Sequence, residues 1–408
     1  MNNLQGSPSS AYKSISSVVS ALRNSTSCGQ IDELADSAQE RAKDGPPVAV
    51  LRASYGNAEQ QIREALRLLN YRPQRRKLLL KPNLVAAPSR MPFIGIPASV
   101  ATDIRFIEAL LRVFDGYDIT IGEGSVGHTE SVFEKIGLYK LARKYGVKVA
   151  NFEQVERFDV PWEYGRLRLP VLLNTHEYIN VPKLKTHFAT GVSLGCKNQK
   201  GLLSLADRVR CHRKLDLHKS IRALSRAVKP ALTVVDGITG MDGLGAPTMG
   251  RSRRANLVVA GQDLQAVDVT CCDLISVPIE RVLHLTPCPR RTVGCNVEEV
   301  RVKFVLSTEM EKFGVRVHYD MTACSRCGDS LVEGRSALVR SPGNMLRCIW
   351  NCVLHRTEMI VGTVSEMPST ARGRLICYGD CTRRIAEKQG LQWVPGCPPS
   401  VSQQLKMY

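Results

Sequence analysis

The chain has 408 residues, of which 43% are hydrophobic and 23% are charged, a composition typical of a globular protein with roughly two or three domains. No apolar run approaches the roughly 20 residues of a membrane span, and no basic start followed by an apolar stretch marks an export signal, so we expect a cytoplasmic protein without a membrane partner. The formal net charge of +18 predicts an acidic partner, and nucleic acid, an acidic electron-transfer protein and a small anionic substrate all fit it.

Three regions follow one another along the chain. Residues 1–45 are rich in Ser, Asn, Gln and Ala, which predicts a flexible leader. Residues 46–300 alternate apolar strands with amphipathic helices, which predicts an α/β domain with a mostly parallel sheet and flanking helices. Residues 301–408 contain short strands, turns and cysteines, which predicts a small cysteine-rich C-terminal domain. The predicted strands lie at 48–51, 77–80, 119–121, 148–152, 177–182, 231–235 and 255–260, and the predicted helices at 58–69, 103–114, 131–145, 218–227 and 264–274.

Polar strings follow several of these strands. They lie at 81–83 (Lys-Pro-Asn), 122–125 (Gly-Glu-Gly-Ser), 180–187 and 195–201. Ligands usually bind at the carboxyl ends of parallel strands, so the sequence predicts a positively charged cradle for a small anion there. The predicted substrate-binding residues are Lys81, Asn83, Lys183, Lys197 and Asn198, and the predicted catalytic residues are Lys185, His187 and Asp236.

Each of these assignments has an ordinary structural alternative. Lys183 and Lys185 also fit a solvated loop face, His187 fits a structural hydrogen-bonding role, and Asp236 fits a residue that caps a turn.

Seven of the fourteen cysteines lie between residues 324 and 397. In a reducing compartment, such a density of thiols favours a soft metal over disulfides. We predict an iron–sulfur cluster, with a 4Fe-4S cluster favoured and zinc as the alternative. The predicted metal ligands come from Cys324, Cys327, Cys348, Cys352, Cys377, Cys381 and Cys397, with His355 as a substitute.

Four strings together resemble a known family. They lie at 81–83, 179–187, 197–201 and 235–241, and their order and spacing are similar to those of the family called domain of unknown function 362. The resemblance covers roughly residues 48–285. It implies an α/β fold and a prokaryotic, cytoplasmic setting, and it implies no particular reaction.

The C-terminal string at 394–399 (Val-Pro-Gly-Cys-Pro-Pro) has a resemblance of its own. It is similar to the cluster-ligating segment in the small subunits of respiratory NADH dehydrogenases and nickel–iron hydrogenases. This resemblance implies that Cys397 ligates a cluster and assigns no other ligand.

These observations lead to one preferred function and two alternatives. The preferred function is an iron–sulfur reductase or electron-transfer enzyme whose α/β domain binds a small anionic substrate. The first alternative is a zinc-stabilised protein that binds nucleic acid through its positive surface, although the sequence lacks interleaved aromatic and basic residues. The second is an electron-carrier subunit without a substrate of its own.

Overall fold

The computed structural model describes most of the chain after residue 44. The described residues are 45–90, 95–125, 128–243, 245, 250–306, 311–312, 315–320, 323, 325–364, 366–368, 371 and 373–407, and within 325–355 only part of the side chains are described. Of the described residues, those within 47–288 and 292–407 form one compact unit, and residues 45–46 and 289–291 belong to a second. Apart from Gly45, the predicted leader lies outside the described residues. The predicted boundary between residues 300 and 301 stays a prediction.

A large sheet organises residues 47–294. The strands of this region are β1 (Pro47–Arg52), β2 (Lys77–Pro82), β3 (Asp118–Glu123), β4 (Lys148–Asn151), β5 (Arg157–Trp162), β6 (Gly165–Pro170), β7 (Glu177–Val181), β8 (Lys183–His187), β9 (Gly191–Val192), β10 (Leu232–Gly243), β11 (Gly250–Gly261) and β12 (Arg291–Gly294). The strand order is β12-β1-β11-β10-β7-β2-β3-β4, with β8 beside β10 and β9 beside β8. The strands β5 and β6 form a separate hairpin.

Parallel pairing dominates the centre of this sheet. Strand β2 pairs in parallel with β3 and β7, and β10 pairs in parallel with β7 and β8. Strand β11 is antiparallel to both β10 and β1. The predicted fold class, α/β with a mostly parallel sheet, is therefore confirmed. The long β10–β11 hairpin and the β5–β6 hairpin were not predicted.

Helices cover both faces of the sheet. They are α1 (Ala58–Leu68), α2 (Ile104–Val113), α3 (Thr129–Lys135), α4 (Leu138–Tyr145), α5 (Leu172–Thr175), α6 (Gly195–Asn198), α7 (Leu205–Arg213), α8 (Leu217–Ala227), α9 (Leu264–Leu274) and α10 (Val297–Val300). Helix α2 begins after Asp103, whose side chain accepts a hydrogen bond from the backbone N–H of Arg105 at 2.9 Å, and it buries Phe106, Ile107 and Leu110. The predicted helix at 131–145 is two helices, because Gly137 takes a φ of +79° between them.

Residues 311–405 form a second, smaller sheet with its own helices. The elements are β13 (Glu311–Lys312), β14 (Val315–Tyr319), α11 (Ser325–Val339), α12 (Pro342–His355), β15 (Glu358–Val361), β16 (Leu375–Tyr378), α13 (Arg383–Gln389), β17 (Gln392–Val394) and α14 (Val401–Leu405). The order is β13-β14-β15-β16-β17, and β14 to β17 are parallel. This confirms a distinct C-terminal region.

The two faces of the small sheet bury different side chains. Ile376 and Tyr378 of β16 pack with Cys327 on one face, whereas Cys377 packs with Ile360 and Ile385 on the other. This alternation follows from the two-residue period of a strand. Among the described residues, no helix is both long enough and apolar enough to cross a membrane.

Candidate functional site

A buried ion pair joins the carboxyl ends of two central strands. Lys81 is the last residue but one of β2 and Glu123 ends β3. The Lys81 ammonium lies 2.8 Å from the Glu123 carboxylate, with both side chains at most 3% exposed. Glu123 also accepts hydrogen bonds from the backbone N–H groups of Leu84 at 3.0 Å and Gly124 at 2.9 Å. Burial lowers the pKa of Lys81, and the carboxylate of Glu123 opposes that shift. The ion pair therefore depends on close contact with Glu123.

Gly201 closes over this ion pair. It lies in the helical turn Gln199–Leu202 that follows α6. A Cβ at this position would collide with the carboxylate of Glu123 and would lie 2.7 Å from the Lys81 ammonium. The glycine is needed because the backbone approaches the two charged groups so closely.

Strand β8 carries the next two lysines. Lys183, Lys185 and His187 alternate with Leu184, which is fully buried in the apolar core behind the strand. The Lys183 ammonium lies 2.6 Å from a carboxylate oxygen of Asp236, and both side chains are at most 1% exposed. These predicted site residues therefore lie on neighbouring strands.

The carboxylate of Asp236 has several donors. Besides Lys183, it accepts hydrogen bonds from the backbone N–H of Asp103 at 2.9 Å and from the hydroxyl of Tyr55 at 3.4 Å. This arrangement suits a structural anchor for Lys183, and the predicted role of Asp236 as a base stays a prediction. Tyr55 was not identified from the sequence, because it lies in a loop after β1.

Lys185 connects the strand to an amide network. Its ammonium donates to the side-chain oxygen of Asn83 at 2.6 Å and to the carbonyl of Val100 at 3.1 Å. Asn83 in turn donates to the side-chain oxygen of Asn198 at 3.0 Å, and Lys81 donates to the same oxygen at 3.3 Å. Burial, and secondarily the charge of Lys183, lower the pKa of Lys185 to about 7. Lys185 is therefore poised to exchange its proton near neutral pH.

Helix α6 is fixed from both sides. Asp268 accepts hydrogen bonds from the backbone N–H groups of Gly195 and Cys196, each at 2.7 Å, and Asn180 donates to the carbonyl of Gly195 at 3.1 Å. Burial raises the pKa of Asp268 to about 6, although the hydrogen bonds from Cys196 and Gly195 oppose the shift. These contacts hold Asn198, at the end of α6, next to the lysine side chains of the site.

Two further lysines follow on α6 and the adjoining turn. Burial, and secondarily the charge of Lys200, hold the pKa of Lys197 well below its usual range. Burial lowers the pKa of Lys200 to about 8, and its ammonium contacts the imidazole of His212. We call Lys81, Lys183, Lys185, Lys197 and Lys200 the lysine cluster. Among the described residues, only Lys81 and Lys183 of this cluster form ion pairs with carboxylates.

Gln199 lies between two members of this site and was not predicted as a site residue. Its side chain is fully buried, yet among the described residues neither its amide nitrogen nor its amide oxygen has a hydrogen-bond partner. Unsatisfied buried amides are rare, and they mark places where water or a ligand completes the bonding. In the sequence, the only indication of a site role for Gln199 is its position between Asn198 and Lys200.

An aromatic contact joins the end of β8 to the C-terminal region. The ring of His187 stacks on Phe188 with centroids 4.5 Å apart, and Phe188 meets the edge of Tyr319 at 5.4 Å. Gly328 of α11 packs against the same Phe188 ring so closely that a Cβ would collide with it. The residue before Gly328 is Cys327. The aromatic contact therefore leads from the lysine cluster to the cysteine-rich region.

Two predicted metal ligands lie around Gly379. A Cβ at Gly379 would lie 3.4 Å from the sulfur of Cys327 and 3.7 Å from the sulfur of Cys381. The loop that carries Cys397 is bound to the same turn, because Asp380 donates its backbone N–H to the carbonyl of Gly396 at 3.0 Å. Cys327 is buried, whereas Cys381 and Cys397 are exposed. We call Cys327, Cys381 and Cys397 the C-terminal cysteine site.

The remaining predicted ligands lie elsewhere or outside the described residues. Cys377 is fully buried on the opposite face of β16, and burial raises the pKa of its thiol to about 11. Cys348 lies on α12 and is half-buried. Cys324 and the side chains of Cys352 and His355 lie outside the described residues. Within the described part of the chain, no group of three or more His, Cys, Asp or Glu side chains could hold a metal ion.

Two comparisons place the α/β region among known proteins. Residues 78–273 match the model of the family "Domain of unknown function (DUF362)". The "Thylakoid-associated protein sll1697" of Synechocystis sp. (strain ATCC 27184 / PCC 6803 / Kazusa) is 25% identical over 243 residues, which cover 58% of this chain and 73% of the relative. The matched family segment contains the whole lysine cluster and ends before the C-terminal cysteine site. The resemblance to the DUF362 family is thus confirmed for residues 78–273.

Proposed function

We propose that the chain is an iron–sulfur redox protein that acts on a small anionic substrate bound at the lysine cluster. The observation that carries this proposal is the packing of Phe188, which contacts His187 beside the lysine cluster and Gly328 beside Cys327. One aromatic residue thus packs between the strand that carries Lys185 and the helix that carries Cys327, which supports a redox protein with separate binding and electron-transfer parts.

The charge of the lysine cluster supports an anionic substrate. Lys185, Lys197 and Lys200 lie in buried surroundings that disfavour a positive charge, as their lowered pKa values indicate. A bound carboxylate or phosphate would compensate these charges and would accept hydrogen bonds from the ammonium groups. The unsatisfied amide of Gln199 offers both a donor and an acceptor to the same ligand.

His187 can serve as a hydrogen-bond donor at this site. Burial, and secondarily the charge of Lys197, hold the pKa of His187 well below its usual range, so the ring is neutral at pH 7. Its Nδ1 accepts a hydrogen bond from the backbone N–H of Ala189 at 3.1 Å. A neutral His187 therefore keeps its proton on Nε2, where it can donate to a bound anion.

The C-terminal cysteine site would hold the cluster. Cys327 and Cys381, whose sulfurs lie near Gly379, are the first ligands that we assign to it, and Cys397 would join them from the adjoining loop. A further ligand would come from Cys324, which lies outside the described residues. Cys377 is excluded from this set because its side chain faces the other side of the sheet. When bound, the cluster would supply single electrons for the reduction or oxidation of the substrate.

Location and partners remain proposals. The curated relative is named a thylakoid-associated protein, so the cytoplasmic location stays a prediction. An acidic electron-transfer partner fits the net charge of +18.

The affinity for a divalent anion should fall as the pH rises through 7 to 8. A bound anion favours the charged forms of Lys185 and Lys200. Without the anion their pKa values are about 7 and about 8, so the free site loses positive charge over this pH range. Sulfate is a suitable probe, because its own charge is constant across the neutral range. Calorimetric titration with sulfate should show a dissociation constant about tenfold larger for each lysine ammonium that loses its charge.

A matched pair of variants makes this test specific. Lys185→Gln should weaken sulfate binding at pH 6 and flatten the pH dependence, whereas Lys219→Gln, on the exposed surface of α8, should leave both unchanged. Affinity that does not change with pH in the intact chain would contradict the assignment of the anion to the lysine cluster.

A further inference from the structure

A cavity lies between α8 and the loop before β12. It has a volume of about 170 Å³. A single water molecule needs a cavity of roughly 10–15 Å³, so this cavity accommodates a molecule of several heavy atoms. Its lining includes Cys196, Arg222, Arg226, Lys229, Asp263 and His284. The lysine cluster contributes none of these residues.

Two polar atoms in the wall of this cavity lack partners. Among the described residues, the buried Nε of Arg222 and the buried Nε2 of His284 have no hydrogen-bond partner. His284 as a whole is 2% exposed. A guanidinium N–H and an imidazole nitrogen left unsatisfied in one wall are unusual, because buried polar groups almost always have partners. The pair marks a place where water or a ligand completes the bonding.

The bonding of the rest of each side chain fixes these groups in place. Arg222 donates a terminal N–H to the carbonyl of Leu283. The Nδ1 of His284 lies 3.2 Å from the Nδ1 of His218, so one of the two nitrogens donates and the other accepts. The Nε2 of His284 stays unsatisfied in both tautomers: it is an N–H donor when His218 donates through Nδ1, and an acceptor when His284 does.

Positive charge prevails around the cavity. Arg226 and Lys229 are exposed at its rim, and Arg222 lies within the wall. The acidic lining residue, Asp263, already accepts the backbone N–H of Ala266 at 2.8 Å as the cap of α9. An unsatisfied guanidinium N–H of Arg222 with the exposed Arg226 and Lys229 at the rim suits the recognition of an oxyanion, although Arg226 also lies 3.9 Å from the carboxylate of Glu163.

We propose that this cavity is a second anion-binding site, which takes a small phosphate- or carboxylate-bearing molecule between Arg222, His284, Arg226 and Lys229. The cavity and the lysine cluster lie against the same short helix, α6, because Cys196 lines the cavity and the next residue, Lys197, belongs to the cluster. The second site does not depend on the proposed redox function, and it persists if the chain holds no cluster.

The site can be tested by the imidazole resonances of His284 in the full chain. These are assigned by their loss in His284→Gln and followed by NMR while inorganic phosphate is added at constant pH and ionic strength. We expect them to shift in a saturable way. In the double variant Arg226→Gln/Lys229→Gln the midpoint of the titration should move to about tenfold higher phosphate. Both replaced side chains are exposed, so the fold should not be affected.

Lys219→Gln is the matched control, because Lys219 is exposed on the same helix but does not line the cavity. Its titration should coincide with that of the unmodified chain. The proposal is overturned if phosphate leaves the His284 resonances unmoved. It is also overturned if the double variant and the control titrate alike, since the cations at the rim would then have no part in binding.

Discussion

Replacing Cys381 with serine should remove most of the bound iron and the visible absorbance of the purified chain. Replacing Cys377 with alanine should leave both in place. The two residues are separated by three positions, and the spacing alone suggests that they act as a pair. The structure separates them, because the sulfur of Cys381 lies near Gly379 and Cys327, whereas Cys377 packs against Ile360 on the far face of β16.

The physical reason for the difference is access to a common centre. An iron–sulfur cluster is held by cysteine thiolates from several loops. Loss of one sulfur therefore breaks one bond to iron, and the hydroxyl of serine is a poor replacement ligand. Alanine at position 377 removes only a sulfur buried among apolar side chains, at the cost of a small cavity.

Iron and sulfide content, measured together with the visible spectrum after anaerobic purification, gives the comparison between these variants. Cys397→Ser should behave like Cys381→Ser, because Cys397 belongs to the loop that is hydrogen-bonded to Asp380. The ligand assignment fails if Cys377→Ala loses iron while Cys381→Ser retains it.

Replacing Lys81 with methionine should destabilise the fold by about 3–5 kcal/mol, because it leaves the buried carboxylate of Glu123 without its counter-charge. Both side chains of the ion pair are at most 3% exposed, so water cannot compensate the loss. The hydrogen bonds that Glu123 accepts from the backbone of Leu84 and Gly124 remain and keep the carboxylate buried. Urea denaturation of the intact chain and the variant measures the difference.

Two controls separate the lost ion pair from the lost side chain. Lys148→Met removes an exposed ion pair with Asp118 at 3.2 Å and should cost less than about 1 kcal/mol. The double variant Lys81→Met/Glu123→Gln should recover part of the lost stability, because no uncompensated charge is then buried. Equal losses for Lys81→Met and Lys148→Met would contradict a buried, functioning ion pair.

The position of the lysine cluster could be predicted because it follows from local rules. Apolar strands such as β2 and β7 carry a polar residue next to their carboxyl ends, and parallel strands bring those ends to one edge of the sheet. Lys81, Asn83, Lys185 and Asn198 are accordingly joined by hydrogen bonds. The sequence pattern thus located the edge of the sheet and most of its polar side chains.

The partners of these side chains could not be predicted in the same way. Glu123 lies in a glycine-rich string that is typical of a turn, and its contact with Lys81 depends on how far β3 extends. Gly201, which packs closely against that ion pair, belongs to a segment that is distant in the sequence. Such contacts are set by the tertiary arrangement, which a local pattern does not contain.

The cysteine spacing likewise predicts the region but does not give the faces on which the thiols lie. The sequence located the cysteine-rich region, but the x3 spacing between Cys377 and Cys381 does not reveal where β16 ends. Because β16 continues to Tyr378, the side chain of Cys377 points to the opposite face from that of Tyr378. Which thiols share a face therefore depends, to within one residue, on where the strand ends.

The most direct test of the proposed function is the composition of the intact chain purified without oxygen. Quantitative iron, acid-labile sulfide and zinc, combined with electron paramagnetic resonance after chemical reduction, identify the metal in one preparation. We predict iron and sulfide in matching amounts and a signal from a reduced cluster. Colourless protein with stoichiometric zinc and no labile sulfide would contradict the account.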